Sequence, residues 1–203
     1  MVACETMRGK TIHYNSLIPT IDWGDVMSSE YFEQLICDIK DYPRPGVVFK
    51  DITPLIGDAD GFHAAVDDIC EHFADAGITK VVGAEARGFL LGAPVAYQLH
   101  AGFVPARKPG KLPREVLSES YDLEYGSNEL EMHKDALCPN DRVLIVDDLV
   151  ATGGTAVASA HLIERTGAEL IGFAFLLELA FLHPREVISR EFSQELYTLV
   201  KVN

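Results

Sequence analysis

The segment Val143-Leu-Ile-Val-Asp147-Asp148-Leu149-Val150-Ala151-Thr152-Gly153-Gly154-Thr155 holds the residues best suited to chemistry. An apolar run delivers two adjacent carboxylates, then small residues, then a helical pattern. At Ala151, Thr152, Gly153, Gly154 and Thr155 no bulky side chain keeps main-chain N–H groups from closing on an anion. A helix starting there adds roughly half a positive charge at its N-terminus. Thr152 and Thr155 add hydroxyl donors, so a phosphate is a natural guest. Asp147 and Asp148 would repel a phosphate at contact distance. They fit one step back, accepting hydrogen bonds from sugar hydroxyls or holding Mg²⁺. A tight strand-to-helix turn, capped by Asp and Thr, is the plainer alternative.

A second concentration of charge lies at Arg107, Lys108, Lys111 and Arg114, four of the chain's 17 basic residues in eight positions. The formal net charge is −14. An anionic ligand must therefore meet such a local excess of positive charge, because the field of the whole chain repels it. The same balance excludes a general nucleic-acid binder, which needs a basic face. Residues 108–117, with two prolines and a glycine among charged groups, are expected to form a mobile loop of the kind that makes a lid. Arg87 stands between a predicted strand and a predicted helix and is a further cation candidate. His133 is expected to be an exposed polar residue, and Glu169 and Glu178 to be cap or edge residues. The patterns of zinc proteases, serine hydrolases and Walker-type ATPases are absent.

Strands alternating with helices must position these groups. A first helix is predicted from the Ser28–Ser29 region, with Phe32, Leu35, Ile36 and Ile39 on one face. Asp41 and the two prolines after it end that helix. A second helix over 60–76 carries Phe62, Val66, Ile69 and Phe73, and Gly77 closes it. Then come a strand over 78–84, a helix over 88–100 and a strand near 103–107. A hairpin over 118–134 turns at 125–128. A strand over 142–146 ends in the paired acids, a helix over 154–165 is closed by Gly167, and a strand spans 170–177. This order argues a parallel sheet covered on both faces, with ligands outside the carboxyl ends of the strands.

With 203 residues, 48% of them hydrophobic and 24% charged, the chain has the make-up of one soluble domain. Residues 1–27 have no clear period and are expected to be an appendage to a domain over 28–203. Neither a secretory signal nor a membrane span is expected. Cys4, Cys37, Cys70 and Cys138 form no C-x-x-C pair and are expected to be free thiols in the cytoplasm.

The strand–Asp–Asp–small-loop segment resembles the phosphoribosyl pyrophosphate (PRPP) motif of the type I phosphoribosyltransferases. Three more segments resemble the adenine-using branch of that family. They are Tyr42-Pro-Arg-Pro-Gly-Val-Val-Phe-Lys-Asp-Ile-Thr53, Gly83-Ala-Glu-Ala-Arg-Gly-Phe-Leu-Leu-Gly-Ala-Pro94, and Arg107-Lys-Pro-Gly-Lys-Leu-Pro113 with Ser120-Tyr-Asp-Leu-Glu-Tyr-Gly126. The resemblance spans about residues 28–200. It implies an α/β, Rossmann-like fold with a small N-terminal hood (about 28–56) and a flexible lid loop. It further implies transfer of a ribose phosphate from PRPP to adenine, Mg²⁺ held mainly through substrate oxygens rather than by a protein metal site, and a homodimer. In its terms the 151–155 loop holds the 5′-phosphate, and Asp147 and Asp148 meet the ribose hydroxyls. Arg87, Arg107, Lys108 and Lys111 bind pyrophosphate, with Arg87 reaching in from a neighbouring subunit. Phe49 and Leu149 sandwich the purine, and main-chain groups at Val48 and Lys50 read its edge. Glu124 is the acid/base residue. Lys50 stands where many members carry Arg, and it lacks the planar fork of that side chain.

Overall fold

The computed structural model of the chain describes residues 29–122 and 127–203. The 1–27 appendage, the first helix's start at Ser28, Cys4 and Glu124 lie outside the described residues. The elements run α1 (Ser29–Gln34), β1 (Cys37–Lys40), β2 (Val48–Asp51), α2 (Thr53–Gly57), α3 (Ala59–His72), β3 (Lys80–Ala84), α4 (Gly88–Gln98) and β4 (Gly102–Ala106). They continue with β5 (Val116–Asp122), β6 (Ser127–His133), β7 (Arg142–Val150), α5 (Gly154–Glu164), β8 (Glu169–Leu179), α6 (Pro184–Ser189) and β9 (Glu195–Val202).

Five strands form one parallel sheet in the order β4-β3-β7-β8-β9. The central strands are apolar almost throughout because both faces are covered. Side chains alternate between the faces with period two. Val81, Leu144, Val146, Ala174 and Leu176 join α2, α3 and α4 in one core. Val82, Val143, Ile145, Phe173 and Phe175 join α5, α6 and β6 in the other. Chain order reverses between β3 and β7, since β3 runs to β4 on one side and the later strands extend on the other. That switch point opens a crevice at the carboxyl ends of both strands. The second helix keeps its predicted stripe, with Val66, Ile69 and Phe73 buried. Its start falls at Ala59, where the Asp58 carboxylate accepts the Gly61 N–H at 2.7 Å.

Three expectations need correction. The first helix stops at Gln34, and Ile39 lies on β1, opposite Phe49 of β2 in an antiparallel pair. Asp41 closes that hairpin: its φ is +58° and its carboxylate accepts the Gly46 N–H at 2.8 Å. Ile39 matched the helical period, yet it is 42% exposed, so no core contact enforces a helix there. Strand β7 does not end before the acids. It carries Asp147 and Asp148 within its pairing to β8, with Asp147 opposite Phe175 and Val150 opposite Glu178.

The third correction concerns Glu178. It is neither cap nor edge but 1% exposed, held by Arg185 through Nε at 2.9 and 3.0 Å and Nη2 at 2.7 Å. Thr198 donates its hydroxyl to Glu178 at 3.2 Å, and Arg185 Nη1 donates to the Leu196 carbonyl at 2.9 Å. Glu169, by contrast, is exposed and pairs with Arg142. Removing Arg185 strands a buried carboxylate, which costs about 3–5 kcal/mol. Arg185→Ala is therefore expected to lower the urea midpoint strongly, while Arg142→Ala, which loses an exposed ion pair and one hydrogen bond to the Ala76 carbonyl, lowers stability by about 1–2 kcal/mol.

Candidate functional site

At the switch point β7 delivers its two carboxylates, and the chain turns through 151–153 into α5. Gly153 makes the turn at φ +87°. A Cβ there would come within 3.2 Å of the Pro184 carbonyl and 3.3 Å of Ile188. The backbone angle there favours glycine, and the close approach of α6 leaves a Cβ little room. No side chain caps α5, so its first N–H groups are left to a ligand. Thr152 is exposed at the turn, and Gly154 and Thr155 begin the helix.

Asp147, Asp148, Leu149 and all of 151–155 line one cleft of about 590 Å³. Arg87 and Lys108 of the same chain also line it, so Arg87 stands in its own chain's cleft rather than reaching in from a neighbouring subunit as expected. Arg87 Nε lies 3.0 Å from Asp148 Oδ2. The contact is an ion pair without hydrogen-bond alignment, and Asp148 Oδ2 stays buried with no donor. Asp147 Oδ1 accepts the Asp148 N–H at 2.9 Å. Its carboxyl is packed under the start of α4, where a Cβ on Gly88 would fall 2.7 Å from Oδ1. Burial raises the Asp147 carboxyl well above the ordinary range, and the neighbouring Asp148 charge raises it further. Burial also raises Asp148, with Arg87 opposing. The fold therefore holds two carboxylates in an unfavourable place and leaves them short of partners, a common mark of a ligand site.

The remaining predicted residues divide into two groups. Phe49 is half-buried on β2, and its ring lies 5.4 Å beneath the Arg87 guanidinium, which brings the hood to the cleft's edge. Leu149 lines the cleft itself. Val48 is exposed on β2. The Lys50 ammonium is bound to Asp38 Oδ1 at 2.5 Å and lines a separate hollow with Glu33 and Lys201. Arg107 is also committed inside the chain, its Nε on Glu85 Oε2 at 2.9 Å and its Nη1 on the Lys111 carbonyl at 3.3 Å. Lys111 itself is exposed on the connection between β4 and β5 and is not among the residues lining the cleft.

Sequence reasoning passed over Glu85, Arg44, Tyr121 and Leu182, which also line the cleft. Glu85 directly follows β3 at the switch point, two residues before Arg87, and that position was its signal. Burial opposes its charge, but the hydrogen bonds from Arg107 and from the Lys108 N–H, with the Arg107 and Lys111 charges, hold it below its usual range. Arg44 sits at the tip of the hood hairpin between two prolines. Leu182 ends a single 3₁₀ turn after β8, and nothing local in the sequence marks it. His133 is half-buried rather than exposed, and its Nδ1 has no partner.

The Phosphoribosyl transferase domain family matches residues 58–190. An adenine phosphoribosyltransferase from Solidesulfovibrio magneticus is 56% identical over 153 residues, covering 75% of this chain and 90% of the relative. The crystal structure of adenine phosphoribosyltransferase from Thermoanaerobacter pseudethanolicus superposes with a TM-score of 0.82 at 45% identity, covering 86% of this chain and 100% of that one. The enzyme from Saccharomyces cerevisiae, complexed with an imino-altritol bisphosphate and adenine, superposes with a TM-score of 0.79 at 35% identity, covering 85% of this chain and 98% of that one. With its parallel sheet, switch-point cleft and paired acids, the chain belongs to the adenine phosphoribosyltransferase family of type I phosphoribosyltransferases.

Proposed function

We propose that this cleft transfers the 5-phosphoribosyl group of PRPP to adenine, giving AMP and pyrophosphate in purine salvage. The observation that carries this reading is the shared cleft of two adjacent carboxylates, Asp148 buried and Asp147 half-buried, and an uncapped helix N-terminus. The first suits sugar hydroxyls, and the second suits a phosphate at the other end of the same sugar. In this reading Ala151, Thr152, Gly153, Gly154 and Thr155 take the 5′-phosphate, while Asp147 and Asp148 take the ribose hydroxyls. Arg87 and Lys108 meet the pyrophosphate, with Lys111 brought by its loop. Arg107, spent on Glu85 and the Lys111 carbonyl, steadies that loop's root.

Loss of pyrophosphate builds positive charge on the ribose ring. Two nearby carboxylates favour that charge, and the cations across the cleft favour the leaving group. Asp148 Oδ2, buried with no donor, is a fitting ligand for a Mg²⁺ carried on substrate oxygens. No cluster of three His, Cys, Asp or Glu suited to a metal occurs among the described residues, so such an ion would complete its shell from the substrate. When bound, it supplies further positive charge to the departing pyrophosphate. Phe49 and Leu149 enclose the purine, and Val48 and Lys50 offer their main chain to its edge. The ion pair with Asp38 supports a main-chain role for Lys50. Glu124 takes or relays the proton that adenine sheds. We place the protein in the cytoplasm as a homodimer. Cys37, Cys70 and Cys138 are free thiols, and among the described residues no helix is long and apolar enough to cross a membrane.

Turnover of PRPP with Mg²⁺ against adenine, hypoxanthine, guanine, xanthine, uracil and orotate tests the reading, and AMP from adenine alone is expected. Turnover of an oxo base in preference to adenine would overturn it. Asp148→Asn is expected to lower kcat at least about 100-fold while leaving adenine affinity nearly unchanged, because its partner is the reacting sugar. The acid pair also ties stability to pH. The unfolded chain ionises these aspartates near about pH 4, but the folded chain holds them protonated to higher pH. Their contribution is therefore full below about pH 4 and is lost as pH rises through the raised values. Asp147→Asn carries no such cost. Its melting temperature, without substrate, is expected to exceed the parent's by about 2–4 °C near pH 7.5, the equivalent of about 1 kcal/mol. Calorimetry should show that gap shrinking toward pH 4.

A further inference from the structure

The β5–β6 hairpin is a two-stranded sheet of its own. Its backbone tie to the parallel sheet, among the described residues, is the pair of hydrogen bonds between Arg107 and Glu131 at 2.8 and 2.7 Å. Yet the hairpin supplies Tyr121 and Leu130 to the cleft wall. The angle at which it leans on α5 therefore sets part of the substrate's enclosure. His161 of α5 and Arg165, the residue just after it, hold that angle. Arg165 Nη1 donates to the Ser118 carbonyl at 2.5 Å and lies 3.3 Å from Glu119 Oε2. His161, one turn earlier, has Nδ1 3.1 Å from Glu119 Oε1 and Nε2 2.9 Å from Glu191 Oε2, in the segment after α6.

A neutral imidazole donates at one nitrogen and presents a lone pair at the other. Facing a carboxylate on each side, it makes one hydrogen bond and one repulsive contact. Only the imidazolium donates at both. Glu119 is the cross-strand partner of Leu130, and Tyr121 is two residues along the same strand, so a shift at Glu119 reaches both wall residues. The other groups around the ring do not replace this. The Phe192 ring lies 5.4 Å away, α6 contributes Val187, and β6 turns Leu130 and Met132 to this side. Arg165 is the permanent cation and Tyr121 the further titratable neighbour on β5. The exposed Glu164 lies on α5 itself.

We infer that His161 is a positioning residue for the transfer reaction: as an imidazolium it straps the β5–β6 hairpin to α5 and to the segment after α6, and its deprotonation loosens the wall formed by Tyr121 and Leu130. The inference rests on the transferase reading of the cleft, so its test includes a readout that needs no turnover. Nitrogen-15 spectra of the histidine-labelled protein at about pH 6 are expected to show both ring N–H groups of His161 in hydrogen bonds, and loss of the one toward β5 in Glu119→Gln. In kinetics, kcat/KM for PRPP of the parent relative to His161→Lys, whose cation persists, is expected to fall about fivefold between about pH 6 and pH 9. His161→Gln, which never carries the charge, should be lower at about pH 6 and flat relative to His161→Lys. Should the lysine variant not fold, Glu119→Gln serves in its place and is expected to flatten the same profile. His161 ring N–H groups free of hydrogen bonds at about pH 6, or profiles for the parent and His161→Gln that superimpose, would overturn the strap. Absence of turnover in every variant and the parent, with the doubly protonated ring intact, would count instead against the transferase reading.

Discussion

Two carboxylates side by side on a buried strand are the constraint around which this molecule is arranged. Burial alone makes Asp147 and Asp148 unwelcome, and adjacency makes each worse for the other. The fold relieves this only in part. It lends the Asp148 N–H to Asp147 and sets Arg87 against Asp148, yet leaves one oxygen with no donor. Gly88 is required because a larger residue would collide with Asp147, and Gly153 because α6 closes on the turn that follows. The unmet needs of the acids and of the first amides of α5 point into the same cleft. That is why one substrate carrying hydroxyls and phosphates together can satisfy both.

The parts of this arrangement that were legible in the sequence are those whose information is local. An apolar run, two acids, small residues and a helical pattern are contiguous, so the β7–α5 unit and its loop could be read directly. The parallel sheet followed from the alternation of such units. What escaped the reading depends on partners distant in the chain. Ile39 kept the helical period by coincidence, and only pairing with Phe49 makes its segment a strand. The short α2 and α6 and the strand β9 are defined by docking on the sheet and carry little periodic signal. Glu178 resembled a strand end until Arg185 and Thr198 closed around it.

The basic cluster shows the same limit for function. Composition singled out Arg107, Lys108, Lys111 and Arg114 together, as if they were equivalent. In space they have different employments. Arg107 grips Glu85, Arg114 pairs with Asp135, and Lys108 alone of the four lines the cleft. Spacing located the charge but not its direction, because direction depends on Glu85 and Asp135, 22 and 21 residues away in sequence from their partners. Lys50 is the parallel case in the hood, where the ammonium turns to Asp38 of the neighbouring strand.

Strand β7 runs on past its acids, so Asp147 and Val150 are registered against Phe175 and Glu178 in the middle of the sheet. The paired acids therefore lie on a central strand, the part of a fold whose amides are expected to exchange with solvent only when the whole domain comes apart. The hood hairpin and the connection after β4 have no such anchorage. On the proposed reading, the molecule is divided into a stiff half that would fix the sugar and a compliant half that would meet the base and the leaving group. Sequence drift can then retune the second without disturbing the geometry of the first.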